Sequence, residues 1–499
     1  MTLSREAVEG LRAQFSGEVL EASDPGYDAA RAIHNGLIDK RPTLIARCLN
    51  TADIADAVRF GRSEGLEISV RGGGHNPAGK AVTSGGLMIN LAPMRGTYVD
   101  PVRRRARVQG GANWSDYNRA TAQHRLATTG GIVSTTGVAG LTLGGGIGWL
   151  MGRFGIASDN LTSVELVTAE GEVLQVDEDS DPDLFWGLRG GGGNFGVAAS
   201  FEFEAYPIDT ILGGIVAYPF SDALRVLAPY QEVTADPPDE LVTHMVLTHA
   251  PDGSGNKIVL LPVCHCGEIS AGEALVAPLR NASTPALDVI GPMPYWVMNT
   301  LVDAGYPSGA RNYWRSAFLK ELNDDALGVL VDAFERVPSP MTSILIENFH
   351  GAISRVDPTA TAFPHREPGF NLVVTGEWLD AADDDANIGW VRETFDAVAP
   401  YTGSAVYMNY LGDDESQRVR TAYGPNWGAA RDAQASLGPG QRVPPQPEHR
   451  PVGLTAPEVS SGYAAHGVSR EPSARVKHPC EQDDRLHSRL RVRCVEPAM

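Results

Sequence analysis

Little in this chain suggests a covalent or membrane scaffold. Five cysteines in 499 residues are too few and too scattered for a disulfide framework. No apolar run is long enough to cross a bilayer, and the first twenty residues alternate charges with no apolar core of a secretory signal. A reducing cytoplasm is the expected compartment. The formal net charge of −20 also argues against nucleic acid, since a phosphate-tracking surface needs a basic face that this chain nowhere concentrates. Cys264-His265-Cys266 could begin a metal site, but no second cluster completes the ligand set, so these cysteines read as buried strand residues and no metal is expected. With 42% hydrophobic residues there is apolar material for two domains.

What the chain has in quantity is glycine, 55 residues of it. Val70-Arg71-Gly72-Gly73-Gly74-His75-Asn76 follows an apolar strand pattern, and Thr129 to Gly146 adds Gly131, Thr135, Thr136, Gly137, Gly140, Gly144 and Gly145. Glycines without Cβ expose backbone N–H groups and accept positive φ, which suits loops wrapped around a pyrophosphate. Two such blocks in one chain point to a large ligand lying against both. His75 ends the first loop, where a neutral imidazole nitrogen could serve as a covalent anchor for a cofactor or simply as a polar turn residue. A third run, Leu184 to Val197, contains Gly196 and Val197 and reads as a loop between a helix and a strand.

Thr51 to Gly65 carries apolar residues at helical spacing, with Thr51 as cap and Gly65 as stop, and Leu66 to Arg71 is the strand that feeds the glycine loop. Strands with a turn at Asp100-Pro101 follow, then a helix opened at Trp114 and a hairpin turning at Glu170-Gly171. Beyond Pro207 strand-like runs mix with helices and the glycine loops stop, which indicates an α+β domain with an antiparallel sheet. Asn312 to Arg315 and Phe349 to Gly351 are polar-aromatic clusters that could face a pocket or pack in the core. Ala405 to Tyr410 reads as a strand, and alternation would put Tyr407 and Asn409 on one face and Tyr410 on the other.

The segments "RPTLIARCLNTADIADAVRFGRSEGLEISVRGGGHNPAG", "GGIVSTTGVAGLTLGGGIGWLMGRFGIASDNLTSVELVTAEGEV", "DPDLFWGLRGGGGNFGVAASFEFEAYPI" and "AVYMNYLGDD" resemble, in order and spacing, the berberine-bridge-enzyme-like oxidases, including bacterial 6-hydroxynicotine oxidases. Residues 41 to 208 resemble their FAD-binding domain of the vanillyl-alcohol oxidase (p-cresol methylhydroxylase) type. The resemblance implies a helical lead-in at 1–36, a two-part FAD-binding domain at 37–208, an α+β substrate domain at 209–395 and a return segment at 396–428. It further implies FAD bound by Arg71, Gly72, Gly73, Gly74, His75, Asn76 and the second loop, with Gly196-Val197 on the adenine side. Many relatives carry a cysteine where Val133 stands, so attachment here is expected through His75 alone. The second tyrosine of the Y-x-N-Y pattern, Tyr410, is implied as the base, with Tyr407 beside it.

The activity so implied is hydride transfer from a small hydroxyl- or amine-bearing substrate to flavin, with dioxygen as reoxidant. A flavin-dependent reductase or dehydrogenase using another acceptor, or an inactive flavin-binding paralogue, are the alternatives. The last weighs more because residues 429–499 depart from the family pattern: they are rich in Pro, Gln and Arg and show no helical or strand period. Gln434 to Pro451 can be encoded by codons that, read one nucleotide later, give Lys-Arg-Arg-Trp-Asp-Pro-Asp-Asn-Val-Phe-Arg-Arg-Asn-Gln-Asn-Ile-Asp, the closing motif that the family carries. The expectation is therefore a frameshifted, disordered tail beginning near Trp427.

Overall fold

The computed structural model describes residues 3–436. Three sheets organise them, and the first two belong to the half that carries the glycine loops.

In the first sheet the strands Leu44–Arg47, Leu87–Asn90 and Ile68–Arg71 run parallel, and Glu18–Leu20 adds an antiparallel edge. The lead-in is thus not wholly helical. Besides the helix Arg5–Gln14 it supplies this edge strand, because Val19 buries its side chain beside Leu44 and Ala46. The helix Thr51–Ser63 crosses between strands as expected, but its cap is Asn50, whose side chain accepts from the Asp53 N–H at 3.0 Å. An Asn carbonyl one residue earlier meets the orphan N–H groups of the first turn, which leaves Thr51 inside the helix. The helix stops where Gly65 takes φ +63°.

The second sheet is antiparallel, in the order Thr97–Asp100, Arg105–Gln109, Val197–Glu204, Leu161–Val167, Val173–Val176. Its last pair is the hairpin expected around Gly171, which has φ +77°.

The third sheet has eight antiparallel strands, all between Thr210 and Trp378. Lys257–His265, Leu241–His249, Ser343–Phe349, Gly369–Trp378 and Arg311–Leu319 lie side by side across it. One face is covered by the helices Ala223–Ala235, Ile269–Arg280, Asp324–Phe334 and Asp384–Val398, whose apolar residues pack on Ile344, Ile346, Leu372 and Val374. The other face presents Val242, Leu345, Phe349 and Val373 to Trp149, Ile156, Tyr407 and Tyr410. A sheet buried on both faces reads as continuous apolar strands, so a polar side chain there stands out. The strand Ser343–Phe349 ends before His350, and Gly351 at φ +72° leads into a short helix, Ala352–Arg355. Cys264 and Cys266 are buried free thiols at the end of Lys257–His265.

Contrary to the expected aperiodic tail from near Trp427, residues 427–436 form a helix, Trp427–Ser436. Ala433 packs into the core of the flavin half and Ala430, three residues earlier, is buried as well; alanine spacing of that kind carries too little hydrophobic contrast to register as a pattern. The rest of the tail, with the alternative reading frame proposed for it, lies outside the described residues.

Candidate active site

The strand Ile68–Arg71 delivers the first glycine loop into the second. A Cβ on Gly73 would lie 2.5 Å from both N and Cα of Gly137, and one on Gly72 would lie 2.8 Å from the Gly110 carbonyl oxygen. Only glycine permits backbones this close. Gly137 caps the short helix Val138–Leu143, which contains Gly140, and Gly144 ends it. Gly145 follows at φ +119°, a conformation that side chains disfavour. Thr136 holds the loop's other end through its carbonyl, which accepts from Trp114 N at 3.0 Å.

His75 is buried at the junction. Its Nε2 lies 3.3 Å from the Thr135 hydroxyl, its Nδ1 has no hydrogen-bond partner among the described residues, and its ring stacks on His34 with centroids 3.7 Å apart. Burial holds its pKa well below the usual imidazole range, with His34 adding to the effect. Asn76 turns its Oδ1 to the Ala78 N–H at 2.8 Å. Arg71 lays its side chain beside Gly74 and donates to Ala30 O at 3.1 Å. Gly131 offers its carbonyl to Asn299 Nδ2 at 2.7 Å, so the second loop is tied to the other half of the chain. Gly196 (φ +150°) and Val197 begin the strand whose Ala198 carbonyl abuts Gly110. They stand one layer behind the loops. Val133 is buried, with no thiol at that position.

The two tyrosines are not on opposite faces. Met408–Tyr410 is a 3₁₀ turn, closed by Tyr410 N donating to Tyr407 O at 3.0 Å. In such a turn residues three apart eclipse, so both rings enter the same pocket, edge to face at 4.9 Å. Tyr407 accepts from the Gly146 N–H at 2.9 Å and from Asn409 Nδ2. Tyr410 instead donates to Glu347 Oε1 at 2.8 Å, and Asn371 Nδ2 donates to Glu347 Oε2 at 2.8 Å. Glu347 sits between His244 and Asn371 in the sheet register, and its exposure is 0%. Burial pushes its carboxyl up to about 7, against the lowering effect of both hydrogen bonds. Burial and this carboxylate push the Tyr410 phenol well above its ordinary range.

Of the polar-aromatic clusters, Trp314 stands edge-on to Tyr410 with centroids 6.1 Å apart. Phe349 faces the same interior, whereas His350 packs against Gly152.

This cradle has the features a flavin dinucleotide needs: two glycine loops in backbone contact, a buried imidazole nitrogen left without a partner, and a proton acceptor across the pocket. A family model described as FAD binding domain matches residues 42–177. The chain is 33% identical over 377 residues to (R)-6-hydroxynicotine oxidase of Paenarthrobacter nicotinovorans, which covers 74% of this chain and 81% of that protein. The chain belongs to this family of FAD-linked oxidoreductases. An FAD-linked oxidoreductase of Dictyostelium discoideum is 30% identical over 388 residues, 77% of this chain and 83% of its own length. The crystal structure of 6-hydroxy-D-nicotine oxidase from Arthrobacter nicotinovorans superposes with a TM-score of 0.78 at 28% identity, over 88% of this chain and 98% of that one. A Physcomitrella patens berberine-bridge-enzyme-like protein shares the fold, with a TM-score of 0.78 at 19% identity. The chain is thus an enzyme of the FAD-linked class, with an FAD-binding domain of the vanillyl-alcohol oxidase type and an antiparallel substrate-side sheet.

Three residues of this oxidoreductase's site escaped sequence reasoning. Glu347 carried a signal, an acid inside the apolar run Ser343–Phe349, and so did Asn371 in Gly369–Trp378. His34 carried none, since nothing local connects it with a loop forty residues on.

Proposed function

We propose that this enzyme is an oxidase that moves hydride from a small hydroxyl- or amine-bearing substrate to FAD attached through His75, with dioxygen as the reoxidant. The observation that carries this reading is the buried Tyr410–Glu347 hydrogen bond of 2.8 Å. Gly72–Gly74, His75, Asn76, Thr135–Gly137 and Gly144–Gly146 would hold FAD, which when bound supplies the hydride acceptor.

Loss of a substrate O–H or N–H proton must accompany hydride departure. Tyr410 is a poor resting phenolate, because its pKa is raised and its proton is already directed at Glu347. It therefore works as a relay: its oxygen takes the substrate proton while its own passes to Glu347 Oε1. A carboxylate whose pKa lies at about 7 is matched to that task near neutral pH. Asn371 keeps the carboxylate turned toward Tyr410. Tyr407, with its hydroxyl engaged by Gly146 and Asn409, holds the second glycine loop against the pocket. Trp314, Phe349 and Val373 are buried in the same interior and keep water from the relay.

The test is anaerobic mixing of the loaded enzyme with 6-hydroxynicotine, other amines, alcohols and sugars, each compared with NADPH. Bleaching of the flavin by a substrate and recovery on admitting dioxygen supports the oxidase. Bleaching by NADPH alone would assign the chain to the reductases. For the attachment, acid-denatured wild-type protein should stay yellow and His75→Ala should not. Flavin retained through denaturation in His75→Ala would refute that linkage.

A further inference from the structure

His34 lies just beyond the short helix Tyr27–Arg31. Its N–H donates to Gly74 O at 2.9 Å and its carbonyl accepts from Gly309 N at 2.8 Å, so its backbone is clamped between the first glycine loop and the substrate-side half. The ring lies over His75, with centroids 3.7 Å apart and planes inclined by 17°. Each ring of the stack has one buried nitrogen without a hydrogen-bond partner among the described residues: Nε2 of His34 and Nδ1 of His75. Burying such a group unpaired carries a desolvation cost, and an aromatic ring without nitrogens would give the same stack without it. Both imidazoles are held neutral by burial, His34 down at about 4. The Nε2 of His75 lies 3.3 Å from the Thr135 hydroxyl, which can accept a hydrogen from Nε2 and so accommodates the tautomer whose lone pair is on Nδ1.

Covalent attachment of flavin through His75 needs a nucleophilic lone pair to form the bond and a base to take a proton from the 8α-methyl carbon. We propose that His34 is that proton acceptor, with its Nε2 removing the methyl proton while Nδ1 of His75 bonds to the carbon. This rests on the reading, given above, that attachment runs through His75. In the step a methyl C–H bond breaks and its proton goes to His34; an N–C bond forms from the Nδ1 lone pair, and the Nε2 proton of His75 leaves by way of the Thr135 hydroxyl. The electron pair of the broken C–H bond remains on the flavin ring, which is thereby reduced by two electrons. Dioxygen then takes both electrons and two protons to give hydrogen peroxide. The negative charge left on the ring favours the adjacent imidazolium, which offsets the low basicity that burial imposes on His34.

The test uses full-length apoprotein from riboflavin-starved cells, mixed with FAD in air and sampled into acid to separate bound from covalent flavin. His34→Phe keeps a flat ring on His75 but has no proton acceptor. It should bind FAD and form the covalent bond at least about a hundredfold more slowly than wild type, within the range typical of base removal. Attachment by His34→Phe at the wild-type rate would overturn the proposal and leave His34 a stacking residue. If His34→Phe takes up no flavin, His34→Gln is judged on the same rate. Should wild type itself release all its flavin in acid, the His75 reading fails with it, an outcome distinct from an unimpaired His34→Phe.

Discussion

Replacing Glu347 by Gln tests the proton relay without disturbing the sheet that carries it. Gln has the same shape, and its carbonyl can still accept from Tyr410. The Nε2 that replaces Oε2 would meet the Asn371 amide donor, now 2.8 Å away. Asn371 Oδ1 has no partner among the described residues, so a flip of that amide restores a good hydrogen bond. Glu347→Gln should therefore fold and load flavin, while having no group that can finally take the proton. Removal of such a group lowers the rate by roughly 10² to 10⁴, which is about 3–5 kcal/mol on the barrier. The assay is anaerobic stopped-flow reduction of the flavin by any substrate that bleaches it, followed across pH. In wild type the limiting rate should rise with pH through about 7, because only the ionised Glu347 accepts a proton. In Glu347→Gln that rise should vanish. Tyr410→Phe should lose a comparable amount, and the double variant little more, since the two act as one unit. Persistence of the pH rise in Glu347→Gln, or a loss below about threefold, would refute the relay.

Glu377 is buried, its carboxyl oxygens have no hydrogen-bond partner among the described residues, and burial pushes it up to about 8. An acid with a raised folded pKa destabilises the fold once ionised, so stability should fall between the ordinary glutamate pKa and about 8, and Glu377→Gln should raise the melting temperature at pH 9 but hardly at pH 4. Gly137→Ala would set a Cβ 2.5 Å from Gly73 N, with only backbone to yield, so it should lose flavin binding in an absorbance titration. Tyr407→Phe removes the acceptor of the buried Gly146 N–H and should cost about 1–3 kcal/mol in chemical denaturation, while slowing flavin reduction far less than Tyr410→Phe. Sequencing the gene across codons 420 to 455 should reveal a single-nucleotide shift that restores the D-P-x-N-x-F pattern; a gene in which no such shift restores it would show the tail to be genuine.

The glycine blocks and the apolar periodicity were legible because their causes are local. A loop that must bring two backbones together shows glycine wherever it is cut, and the helix Thr51–Ser63 shows its buried stripe in thirteen consecutive residues. What escaped depends on partners distant in the chain. The turn at Met408–Tyr410 replaces a strand because Tyr407 and Asn409 are held by Gly146 and Leu141, far upstream. Alternation carries no trace of that constraint. Glu347 was visible as an oddity in its strand, but its role emerges only with Tyr410, 63 residues away, as its partner. His34 lacks even that mark, for its meaning depends on the ring stacked against it.

Asn35 hydrogen-bonds to the backbone of Asn312, 277 residues away, and also to Pro77 O just beyond the first glycine loop. Asn409 reaches Leu141 O across 268 residues. On the ribosome the chain emerges in order, and contacts this distant cannot form until most of it has been made. The flavin half can begin to fold early, yet the grip on its loops must await the third sheet and the turn after it. Assembly of the holoenzyme is thus a late event, and the newborn polypeptide depends longest on its final folded segments for a pocket able to retain its cofactor.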